Sequence, residues 1–149
     1  MKHLHLLTIA LVLFSCSKDP LKLEAEKITD PCDFYEAFIS INQARTENFE
    51  KGLALIKKGG DTNSVEIKAI VSRNHLLSVK YDEIKKVFKN KTHDVAFALA
   101  AKEGCPGIGA TAVNTNDQAS STESSFINAL NFKEHYEFGE WAIRNELLK

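Results

Sequence analysis

From Asp30 onward, apolar side chains recur at intervals of three and four along most of the chain, and no useful length alternates apolar with polar residues. That period belongs to the 3.6-residue helix and not to the two-residue repeat of a strand, so an all-α fold is predicted. The first helix is expected over 30–58. Asp30 can cap it, Pro31 sits at the first helical position where its missing N–H is harmless, and Asp33 faces the positive end of the dipole. Phe34, Phe38, Ile41, Phe49, Leu53 and Ile56 form its stripe, and Lys57-Lys58-Gly59-Gly60 closes it. Residues 61–64 then cap a second pattern over 62–90, in which Ile67, Ile70, Val71, Asn74, Leu77, Tyr81, Ile84 and Phe88 keep one phase. Asp94 to Glu103 is an Ala-rich helix ended by Gly104. Residues 105–119, with Pro106, Gly107, Gly109 and Asn114-Thr115-Asn116-Asp117, hold no period and are read as a loop, long enough to be functional or disordered. Ser120 and Glu123 form a capping box that opens a last helix running to the C-terminus through Phe126, Leu130, Phe132, Tyr136, Phe138, Trp141 and Leu147. Its apolar positions cover more than one face, as expected of a helix buried on two sides or keeping one face for a partner.

Ahead of this domain, Met1-Lys2 opens an apolar run from Leu6 to Phe14 that ends at Ser15-Cys16. A basic start, a core of roughly ten apolar residues and a small residue before the cut match an export signal, and the run is well short of the ~20 residues of a spanning helix. Leu13-Phe14-Ser15-Cys16 resembles the lipobox of bacterial lipoproteins, although Phe14 stands where a smaller residue is usual. The resemblance covers about the first twenty residues. It implies cleavage after residue 15, acylation of Cys16 and attachment to the cell envelope, on the outer membrane. Ser17-Lys18-Asp19 is similar to the polar-acidic start of surface-exposed lipoproteins of Bacteroidota-type bacteria, with the acidic pair incomplete, which leaves the leaflet open. The expected division is a signal peptide at 1–15, a lipid-anchored tether at 16–29 reaching up to ~43 Å when extended, and a helical domain at 30–149.

With Cys16 lipidated in an oxidising compartment, Cys32 and Cys105 are expected to pair. Closing so long a loop stabilises by roughly 4 kcal/mol if the native geometry is unstrained. The bond also bears on topology. Two long antiparallel helices would return the chain to the end that holds Cys32, and a third helix climbing ~15 Å away would carry Cys105 out of bridging range, within ~7 Å between Cα atoms. A break of 62–90 near Ser78, with Ser78 capping a second piece through Lys89, is therefore expected. The predicted fold is a compact bundle of five helices with one disulfide, four being the alternative.

The 149 residues make one domain, and near-neutral charge, with 19 Lys+Arg against 20 Asp+Glu, excludes nucleic-acid binding by bulk electrostatics. His75, His93 and His135 lack a Glu three residues upstream, and neither His-Glu-x-x-His nor Cys-x-x-Cys-His occurs, so no metal or cofactor is expected. Gly104-Cys105-Pro106-Gly107-Ile108-Gly109 is not followed by Gly-Lys-Ser/Thr and reads as a helix end, and there is no Gly-x-Ser-x-Gly elbow. Asn74 within the apolar stripe, beside His75, is either a core amide that fixes register or part of a small polar pocket. The expected function is non-enzymatic binding of a protein partner in the envelope. The contact residues would be Gly107, Ile108, Asn114, Asn116 and Asp117 on the loop, with Tyr136 and Trp141 on the last helix. Architecture alone, without a shared motif, makes the chain similar to periplasmic immunity proteins, which would imply inhibition of an envelope-acting toxin or wall hydrolase. A small hydrolase using His75 or His135 is the rival, separated by whether a His lies in a concave pocket within reach of a carboxylate.

Overall fold

The computed structural model describes residues 19–132 and 135–148, and the side chains of His135 and Tyr136 lie outside that description. Cys16 lies outside it as well. Five helices follow two short 3₁₀ turns at Pro20–Lys22 and Ala25–Lys27: α1 Pro31–Lys57, α2 Val65–Lys91, α3 Val95–Gly104, α4 Pro106–Ala129 and α5 His135–Arg144. No strand occurs among the described residues. None of the described helices is both long and apolar enough to cross a membrane.

The caps explain the boundaries. Asp30 accepts from the Cys32 N–H at 2.7 Å, Ser64 from Ile67 at 3.2 Å, and Asp94 from Ala96 and Phe97 at 2.8 and 3.2 Å. Each satisfies amides that a helix start leaves without intrahelical partners. At the end of α1, Gly59 takes φ +81, while its N–H donates to Ile56 and that of Gly60 to Leu55, a Schellman closure that glycine adopts without Cβ strain.

α1 is the central helix. α2 runs antiparallel to it, with Phe88 against Phe34 at 5.2 Å between ring centroids and Tyr81 against Phe38 at 5.0 Å. α4 runs parallel to α1, with Gly109 beside Tyr35 at one end and Phe126 against Phe49 at 5.2 Å toward the other. α2 returns the chain to the end that holds Cys32, and α3 lies across that end and delivers the chain to the start of α4. Its Phe97 ring meets Phe34 and Phe88 at 6.0 and 5.8 Å. This places Cys105 with its Cα 5.6 Å from that of Cys32, and the two are joined by a disulfide.

That placement corrects the expected break near Ser78. α2 is unbroken, as its single apolar phase demands, and the bond is reached because α3 turns across the bundle end instead of climbing along it. The expected loop 105–119 is also corrected, being the first half of α4. Gly109, Ala112, Asn116 and Ala119 keep helical spacing and face α1 or the adjacent cleft, with Ala112 and Ala119 buried. The hydroxyls of Thr111, Ser120, Thr122, Ser124 and Ser125 donate to carbonyls four residues back, so side chains that often compete with a helix here follow it. Ser120 and Glu123 are thus mid-helix and form no capping box. The expected last helix is interrupted instead at Leu130–Asn131, where Asn131 takes φ 64.

The segment read as a tether is docked over much of its length. Pro20 and Ala25 are buried, and Leu21, Leu23 and Ile28 pack on the α1–α2 core. Arg73 Nη2 donates to Asp19 Oδ1 at 3.3 Å, fixing the start of the docked segment against α2.

Candidate functional site

The interior is divided in two. One apolar cluster gathers Phe34, Phe38, Ile41, Leu77 and Ile84 at the disulfide end, and another gathers Phe49, Ile67, Val71, Phe126 and Leu130 at the opposite end. Between them lies a belt of buried polar side chains: Asn42, Arg45, Thr46 and Asn48 from α1, and Asn74 from α2. Arg45 Nη1 donates to Asn42 Oδ1 at 3.2 Å and Nη2 to Glu123 Oε2 at 3.0 Å, an ion pair that joins α1 to α4. Asn48 Nδ2 donates to Asn74 Oδ1 at 3.1 Å, and Asn74 Nδ2 to the Arg45 carbonyl at 3.2 Å, which joins α1 to α2. A buried amide bonded across a helix pair fixes register, and Asn74 has that geometry. Asn42 Nδ2 and Arg45 Nε find no acceptor among the described residues.

Two hollows open beside the belt. On one side, a cleft of about 250 Å³ between α2 and α4 is lined by Tyr35, Phe38, Tyr81, Phe88, Ala112 and Val113, with Lys85 and Asn116 also on its lining. Lys85 Nζ stands 5.9 Å from the Tyr81 ring centroid. Burial raises the Tyr81 hydroxyl above its ordinary value, while the Arg45 guanidinium pulls it down and Asp82 adds to the rise, so the cleft lies within electrostatic reach of the belt. On the other side, a smaller cavity of about 100 Å³ is lined by Phe49, Asn74, His75, Ser78, Glu123 and Phe138, among others. His75 therefore shares a concavity with a carboxylate and a hydroxyl. No hydrogen bond links His75, Ser78 and Glu123 among the described residues, and Glu123 is held by Arg45, whereas an activated nucleophile needs its base oriented by a third group.

The residues expected to make one binding surface are not brought together. Gly107, Asn114 and Asp117 are exposed on α4, and Ile108 and Asn116 are half-buried, with Asn116 on the cleft. Trp141 lies at the far end of the bundle. It stacks on Phe138 at 5.9 Å, meets Phe132 at 5.7 Å and donates from Nε1 to Asn63 Oδ1 at 3.2 Å. The Tyr136 side chain and Cys16 lie outside the described residues. Asp30, Cys32 and Cys105 bring ligand-type atoms together, but the two sulfurs are bonded to each other and offer no thiolate. Asn42, Arg45, Thr46, Asn48 and Glu123 are the site residues that sequence reasoning missed; the signal for Asn42 and Arg45 was two polar residues in phase with the α1 stripe between Phe38 and Phe49. No protein family matches the chain, and no significant similarity links it to a curated protein or to a solved structure.

Proposed function

We propose that this is a non-enzymatic, lipid-anchored binding protein of the bacterial outer membrane, and that its partner is a protein entering the cleft between α2 and α4. One observation carries the reading: an aromatic hollow of about 250 Å³ stands open between two long helices, with Val113 on its lip 61% exposed. Such a groove suits an apolar anchor or a helix face, the usual way helical domains take up a partner segment. Export and anchoring rest on the segment ending Leu13-Phe14-Ser15-Cys16. The narrower version, an immunity or inhibitor protein, rests on architecture alone.

A photo-crosslinker at Val113 should capture an envelope protein in cells, and Val113→Glu should abolish copurification of that protein while leaving the melting temperature unchanged. Retained binding by Val113→Glu overturns the placement of the site. The cavity shared by His75, Ser78 and Glu123 supports a second reading as a hydrolase. Hydrolysis of an envelope substrate that disappears in both His75→Ala and Ser78→Ala, each folded, would replace the binding reading.

A further inference from the structure

The side of α2 turned away from the core carries an unpartnered apolar stripe. At about 100° per residue, Val65, Ala69, Leu76 and Val79 fall opposite the core positions Ile67, Asn74 and Tyr81. Val65, Leu76 and Val79 are 79%, 43% and 51% exposed. Lys68 and Lys86 flank the stripe on one side and Arg73 on the other, while Lys80, its side chain only 18% exposed, donates to Glu83 at the stripe's C-terminal end at 2.6 Å. Glu66 and Asp82 are the remaining acids of the helix and lie off the stripe. An apolar strip edged by long cationic side chains is what a helix presents to a lipid surface.

A second observation names the occupant. Asp19 is ion-paired to Arg73, one turn before Leu76, and Pro20 and Ala25 are buried on the body of the fold. Only residues 17 and 18 separate Asp19 from Cys16. The Cys16 Cα therefore lies at most about 11 Å from that of Asp19, whatever path the chain takes.

We infer that α2 is the membrane-facing element, its stripe of Val65, Ala69, Leu76 and Val79 resting on the bilayer that holds the Cys16 lipid. This rests on the proposed acylation of Cys16. An anchor on so short a lead holds the adjacent face of α2 at the surface, and the cleft, on the other side of α2, then opens away from the membrane.

The test uses the mature lipidated protein in vesicles of phosphatidylethanolamine and phosphatidylglycerol. With Cys32 and Cys105 bonded, Val79→Cys or Val113→Cys adds the single thiol available for an environment-sensitive fluorophore. The label at 79 should shift to the blue and be quenched by spin-labelled lipid several-fold more than the label at 113. Equal quenching on protein whose N-terminal peptide carries the acyl mass overturns the orientation and leaves the anchor standing. Absence of that mass overturns the anchor and this inference with it. If unlipidated Cys16→Ser protein sediments as a dimer with the label at 79 protected, the stripe belongs to a second copy and the inference falls.

Discussion

Gly52 leaves no room for a side chain between α1 and α4. A Cβ built there would overlap the Phe126 ring, one of whose atoms would lie 2.9 Å away, and Phe126 is itself fully buried against Phe49. Packed rings yield little, so Gly52→Ala should cost about 1–3 kcal/mol, despite alanine's better helix propensity. The expected drop in melting temperature should shrink when Phe126→Leu is combined with it, giving a measurable coupling in a double-mutant cycle. Additive losses would show that the contact is not the cause. At this scale the sequence is legible where a residue acts through its own local chemistry: Asp30, Ser64, Asp94 and the Gly59 turn do what their types predict. Asn74 was noticeable as a polar residue in an apolar phase, and Asn42 and Arg45 carried the same signal in α1, but the partnership of Arg45 with Glu123 did not show. Their pairing spans 78 positions and follows from how two helices are laid side by side, which no local pattern records.

Among the elements, α2 was expected to break near Ser78 although its single apolar phase marked its buried face; α1 was readable from the large apolar side chains on its buried face, and α3 from its Asp94 cap and Ala-rich run. α4 was not, because its buried face begins with small residues, Gly109, Ala112 and Ala119, which mark proximity to α1 and not hydrophobic mass. Two glycines and a run of Asn and Thr lower its intrinsic propensity, and tertiary contact with α1 supplies what propensity lacks. The end of α4 has a local cause that was legible only in hindsight of its conformation. Asn131 at φ 64 donates its N–H to Asn128 and turns the chain toward α5. Asparagine tolerates that left-handed geometry better than other non-glycine residues. Asn131→Gly should therefore leave the protein as stable or slightly more so, and Asn131→Ala should lose about 1 kcal/mol in urea titration. The reverse order would mean that the Asn side chain, not the backbone angle, makes the turn.

At the level of the whole molecule, the two apolar clusters sit at opposite ends of three long helices, and the polar belt at mid-height fixes how those helices register. The fold class and the disulfide pairing were legible in the chain, since both follow from period and from counting cysteines. The parallel arrangement of α1 and α4 was not, because it depends on a ten-residue helix lying across the bundle end instead of along its side. That same crossover brings the two half-cystines together, and so one covalent bond encloses most of α1, all of α2 and all of α3.

The bond makes the polypeptide tolerant of being cut. The two cysteines are 73 residues apart, and a single break anywhere between them leaves two pieces that remain one covalent molecule. The connection between α1 and α2 is the most accessible place for such a break, with Lys57, Lys58, Gly59 and Gly60 all exposed. Limited trypsin treatment should nick there first and yield a species that migrates as one band without reductant and as two with it, while keeping its helical circular-dichroism signal. Release of a free fragment before reduction would contradict this. A chain held in this way can lose its continuity at a turn without losing either half of the molecule.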